Sequence, residues 1–104
     1  MSKFEKVPSA REMRRFGFTD RREGHWYWST RVGSDTTFNL TIEKETGEYE
    51  TVVLNESFGQ PEYYGRMVAV YGAQIVANVD VALHELRRFG LDIEFSHAEY
   101  GVQE

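Results

Sequence analysis

Phe38-Asn39-Leu40-Thr41-Ile42-Glu43 alternates apolar and polar residues without a break. Successive side chains of a strand point to opposite faces. This hexapeptide therefore puts Phe38, Leu40 and Ile42 on one face and Asn39, Thr41 and Glu43 on the other. The flanking residues extend the pattern. Downstream, Lys44-Glu45-Thr46-Gly47 has the composition of a short hairpin loop, with Gly47 suited to positive φ. Tyr49-Glu50-Thr51-Val52-Val53-Leu54 reads as the return strand, and its run of three apolar residues implies an end covered on both faces. Upstream of the turn Gly33-Ser34-Asp35 lies His25-Trp26-Tyr27-Trp28-Ser29-Thr30-Arg31-Val32. As a strand it shows Trp26, Trp28, Thr30 and Val32 on one side and His25, Tyr27, Ser29 and Arg31 on the other. The tryptophan side is read as the core side, because each indole buries a large apolar area. The spacing predicts three antiparallel strands, over residues 25–32, 37–43 and 49–54.

Helices flank this meander. Ser9, with Glu12 three residues on, has the form of a capping box, and a short helix over residues 10–16 stops at Gly17. Met13 and Phe16 face the core; Arg11, Arg14 and Arg15 face out. Residues 19–24 read as a polar turn. In the C-terminal third, Ile75, Val79, Leu83 and Leu86, joined by Val76 and Ala82, form one apolar helical stripe. The helical reading runs over residues 66–89 with Gly72 as a possible break. The β-branched residues of this region leave 67–71 open as a strand, with the helix then starting near Ala73. Gly90 suits the position after the helix end. Residues 91–95 alternate again and read as a short edge strand. Residues 1–8 and 98–104 are expected to fray, and no internal repeat is read. The expected fold is α+β in a single domain over residues 1–104: a short N-terminal helix, a three-stranded antiparallel meander, a long helix packed on one face, and a possible fourth edge strand.

The chain has 104 residues, 40% hydrophobic and 14% aromatic, which suffices for a core and argues against disorder. It has no apolar run of the length a membrane helix needs, and the N-terminus lacks the apolar segment of a secretory signal. The absence of cysteine excludes disulfides, thiolate metal sites and a cysteine nucleophile, and fits a cytoplasmic setting. The net charge of −5 hides a division. Residues 1–31 carry eight bases and four acids, giving +4; residues 32–104 carry four bases and thirteen acids, giving −9. The hairpin concentrates Glu43, Glu45, Glu48 and Glu50 around the lone base Lys44. Like charges this close repel, so the tip is hydrated; it is either a solvated loop or a docking surface for a basic protein partner. The irregular stretch after it holds Phe58, Glu62, Tyr63 and Tyr64, whose aromatics serve either as contact anchors or as caps on the core.

Catalytic patterns are poorly supported. Asp80 and His84 lie one helical turn apart, His97 and Glu99 two residues apart, and His25 stands near Tyr27 and Ser29, but no third ligand or orienting group accompanies any of them. No phosphate-loop, dinucleotide, zinc-protease or EF-hand pattern is present. No catalytic residue, metal or cofactor is therefore assigned. Arg11, Arg14, Arg15, Arg21 and Arg22, with Trp26, Tyr27 and Trp28, make an alternative surface for a small ligand or single-stranded nucleic acid. The −9 of the remainder opposes direct binding of a long polyanion.

The segments Arg15-Phe16-Gly17-Phe18, Gly24-His25-Trp26-Tyr27, Ile42…Thr46-Gly47-Glu48 and Phe58-Gly59-Gln60-Pro61…Tyr64 resemble those of small accessory proteins carried by bacterial phages and mobile elements. The resemblance implies a non-enzymatic inhibitor that occupies a basic groove of a nucleic-acid-processing host complex, of the anti-CRISPR or anti-restriction type. It brings no catalytic residues. The expected contact residues are Glu43, Glu45, Glu48, Glu50, Phe58, Glu62, Tyr63 and Tyr64.

Overall fold

The alternation around Leu40 becomes the central strand of an antiparallel sheet. A computed structural model describes residues 2–55, 60–61 and 74–97. In chain order its elements are helix α1 (Ala10–Phe16), strands β1 (His25–Gly33), β2 (Thr36–Glu43), β3 (Tyr49–Asn55) and β4 (Gln60–Pro61), and helix α2 (Gln74–Phe89). The sheet order is β1-β2-β3-β4, every pair antiparallel. Register stacks the core-facing residues in rows across the sheet: Trp26–Ile42–Tyr49, Trp28–Leu40–Thr51 and Thr30–Phe38–Val53. The stripe of α2 covers them, with Ile75, Val79, Ala82, Leu83 and Leu86 buried. This is an α+β layout, as the periodicities predicted. At the register shift between Arg31 and Gly33, Asn78 Nδ2 donates to the Val32 carbonyl at 2.8 Å, tying helix to strand.

Both helices end in the same way, and the sequence shows why. Glu12-Met13-Arg14-Arg15-Phe16-Gly17-Phe18 is matched by Glu85-Leu86-Arg87-Arg88-Phe89-Gly90-Leu91. In each copy the residue after glycine donates its N–H to the start of the last turn: Phe18 to Met13 and Leu91 to Leu86, both at 3.0 Å. The glycine N–H bonds the carbonyl three back, Gly17 to Arg14 at 3.2 Å and Gly90 to Arg87 at 3.1 Å. These are the two bonds of a Schellman cap, closed by buried apolar pairs at either end of the longer bond. The copies meet where Phe16 stacks on Phe89, centroids 4.4 Å apart. The expectation of no internal repeat is therefore corrected at short range: a heptapeptide recurs with five of its seven residues identical, and both copies form the same helix cap.

Two further expectations change. Residues 91–95 form no strand. Burial still alternates, with Leu91 and Ile93 buried and Asp92 and Glu94 exposed. The backbone bonds side chains instead of a ladder: Glu94 N–H donates to Tyr49 Oη and the Ile93 carbonyl accepts from Arg87, both at 2.9 Å. Alternating burial requires an extended chain over a core, not a neighbouring strand. Nor does the described part of the N-terminus fray. Phe4 is buried, stacks on Tyr49 at 4.1 Å and donates its N–H to the Gly47 carbonyl at 2.8 Å, while Tyr49 N–H donates to Ser2. This segment covers one end of the β3 edge and β4 the other. The open question over residues 67–71, the break at Gly72 and the fate of residues 98–104 lie outside the described residues.

Candidate partner-binding surface

The strand period that buries Trp26, Leu40 and Tyr49 sends their neighbours to the opposite face of the sheet. There the register places His25 beside Glu43, and Tyr27, Thr41 and Glu50 in one row. Glu43 N–H donates to the Glu48 carbonyl at 2.8 Å, which extends the first row to Glu48, and a bridge to Lys3 closes it. Three of the four hairpin glutamates, Glu43, Glu48 and Glu50, thus share one face, and Glu45 stands exposed in the loop. An open depression of about 440 Å³ runs across this corner, bordered by Arg22 and His25 on the β1 side and by Glu43, Glu48 and Glu50 beyond.

The positive half of the chain forms no ion pair with these carboxylates among the described residues. Among the described residues the ion pairs are Arg14–Asp20, Lys44–Asp20 and His97–Asp80, and none includes Glu43, Glu45, Glu48 or Glu50. Lys44, the only base within the hairpin, turns away from its neighbours. Its Nζ lies 3.1 Å from Asp20 Oδ2 and 4.2 Å from the centroid of the Trp26 ring. Arg14 completes the arrangement, 2.9 Å from the same oxygen and 5.4 Å from the indole. Two cations and a carboxylate thereby roof the buried Trp26.

Hydrogen bonds from Lys44 and then Arg14 hold the Asp20 carboxyl below its ordinary value of 3.8. A carboxylate whose pKa is depressed on folding adds stability above its unfolded pKa and loses it as pH falls through the folded one. Asp20→Asn should therefore lower Tm at neutral pH, and the gap from the parent should close as melts are taken below about pH 4. A gap that persisted in acid would mean the ionised carboxylate contributes nothing beyond its shape.

The other predicted site residues fall elsewhere. Trp26 and Trp28 are 5% and 9% exposed, so they offer bases no stacking platform; only Tyr27, at 43%, is open. The Tyr27 hydroxyl donates to Asn39 Oδ1 at 2.6 Å, and Asn39 Nδ2 donates to Thr37 Oγ1 at 3.0 Å and to the Val52 carbonyl at 3.2 Å, which orders the middle of the outer face. Asp80 meets His97, Nε2 to Oδ1 2.6 Å, rather than His84, whose side chain is exposed. His25 Nδ1 lies 3.1 Å from the Glu23 carbonyl. No group of three or more His, Asp or Glu able to hold a metal occurs among the described residues. Phe58, Glu62, Tyr63 and Tyr64 lie outside them. No described helix is long and apolar enough to cross a membrane.

One wall of the surface was not legible in the sequence. Thr19 exchanges both backbone hydrogen bonds with Tyr27, at 2.8 and 2.9 Å, which carries Arg21 and Arg22 to the β1 edge. The sequence reads there only as a polar turn. No family model, no curated protein and no solved structure matches this chain.

Proposed function

We propose that this protein is a binding module, not an enzyme, and that it docks a basic protein surface on the carboxylates of Glu43, Glu45, Glu48 and Glu50. The setting proposed is the one the resemblance implies, a phage or mobile-element inhibitor acting on a basic groove of a host nucleic-acid-processing complex in the cytoplasm. One observation supports the reading: the hairpin glutamates stand together without ion-pair partners among the described residues, while Lys44, the only base within the hairpin, is held by Asp20. Unpaired surface carboxylates on one face produce a local field that steers a cationic partner and is screened by salt.

The test is charge reversal. With a partner recovered by tagged pull-down from the native host, the triple variant Glu45→Lys, Glu48→Lys, Glu50→Lys should associate about tenfold or more slowly at low ionic strength. The difference should shrink as salt is raised, with the melting temperature retained. Equal association rates in low salt would remove the acidic surface from the contact.

A further inference from the structure

Beside the acidic corner lies a second depression, of about 620 Å³, whose lining carries no carboxylate. Its wall is the segment held to β1 by the Thr19–Tyr27 bridge, and it brings Arg21, Arg22 and His25 together with the hydroxyl residues Thr19, Ser29 and Thr41. Arg21 and Arg22 are exposed and make no ion pair among the described residues; of the two acids that flank them in sequence, Asp20 is engaged by Arg14 and Lys44 and Glu23 is exposed.

An independent feature points into the same space. Trp28 lines the depression although its side chain is only 9% exposed, and its indole N–H makes no hydrogen bond among the described residues. A Cβ built on Gly17, also in the lining, would lie 3.5 Å from that nitrogen. No buried side-chain nitrogen or oxygen of the described residues lacks a partner, so the Trp28 nitrogen, which has none, keeps some exposure to solvent. Ser29 adds to this. Backbone groups of alternate strand residues point to the same edge, so Ser29 follows Tyr27 in presenting its N–H on the β1 edge, beyond the Thr19 pairing.

We infer that this depression binds a small phosphomonoester, with the phosphate held by Arg21 and Arg22 and its organic body lying along the β1 edge toward the Trp28 and Ser29 N–H donors. Guanidinium pairs suit phosphate because their planar N–H forks form short charge-assisted bonds to its oxygens. The depression, of about 620 Å³, falls in the size range of small-molecule sites, which suits an organic phosphate. The exposed phenol of Tyr27 offers that body a flat surface. Glu43, Glu48 and Glu50 line the adjoining depression, which shares Arg22, His25 and Thr41 with this one; they disfavour a long polyanion and leave the β1 edge for a single phosphate. The site does not depend on the protein-binding reading.

The two indole N–H resonances of the intact chain provide the test. Titration with phenyl phosphate should move the Trp28 resonance saturably, with a Kd in the millimolar range or tighter, and leave Trp26, roofed by Lys44 and Arg14, in place. Phenol should move neither. The exposed double variant Arg21→Gln, Arg22→Gln should keep the parent spectrum and weaken binding about tenfold or more. A non-saturating response, equal movement of both indoles, or undiminished binding by the double variant would overturn the site. A phosphodiester dinucleotide that bound as well as phenyl phosphate would overturn the assignment to a monoester.

Discussion

Phe38→Ala is expected to remove about 3–5 kcal/mol of stability, a large share of what a domain of this size holds. Phe38 is fully buried in the central strand, in a row with Thr30 and Val53. Its ring meets Trp28 edge-on at 6.5 Å and Phe95 at 6.0 Å, so truncation opens a cavity between sheet, helix layer and the C-terminal segment at once. Both ring neighbours are themselves held by further ring contacts, Trp28 by Phe16 and Phe18 and Phe95 by His97, which limits how far the hole can collapse. Thermal melts should show Tm falling by roughly 15 °C or more. A loss below about 1 kcal/mol would mean the two layers do not close over β2 as described.

Gly47→Ala should be nearly as damaging, for a backbone reason. Gly47 has φ of +78°, where an alanine costs about 1–2 kcal/mol. Its added Cβ would also run into the carbonyl oxygen of Phe4. That oxygen cannot retreat while Phe4 N–H bonds Gly47 and Ser2 accepts from Tyr49, so the N-terminal segment must lift and the Phe4–Tyr49 stack is lost. The expected total is about 2–4 kcal/mol. Deleting residues 1–5 provides the decisive comparison. In the shortened chain the same substitution should cost only the φ component, which a double-mutant cycle reads directly. Equal costs in both chains would show that the segment is not seated on the hairpin.

These two positions differ in how far the sequence announces them. Phe38 is marked by the alternation of its own strand, which fixes both its face and its burial. Gly47 is marked as a turn residue, yet the stronger demand on it comes from Phe4, more than forty residues away in the chain. The same contrast runs through the surface. Composition marks the glutamates only as an acidic tip; the hairpin register brings Glu43 beside Glu48. Asp20 drawing Lys44 away from the glutamates has no local signal at all. The paired heptapeptides are present in the sequence, legible only where the two helix ends are set side by side.

What the sequence determined by itself was every feature set by neighbours in the chain: strand and helix periods, caps, turns, and the face each side chain takes. Those follow from backbone geometry, which repeats over two to four residues. Tertiary structure decided which charges meet, which N–H groups face solvent, and where the N-terminal segment and Thr19 dock. Those depend on elements distant in sequence being brought within a few ångströms, and no local period encodes that distance.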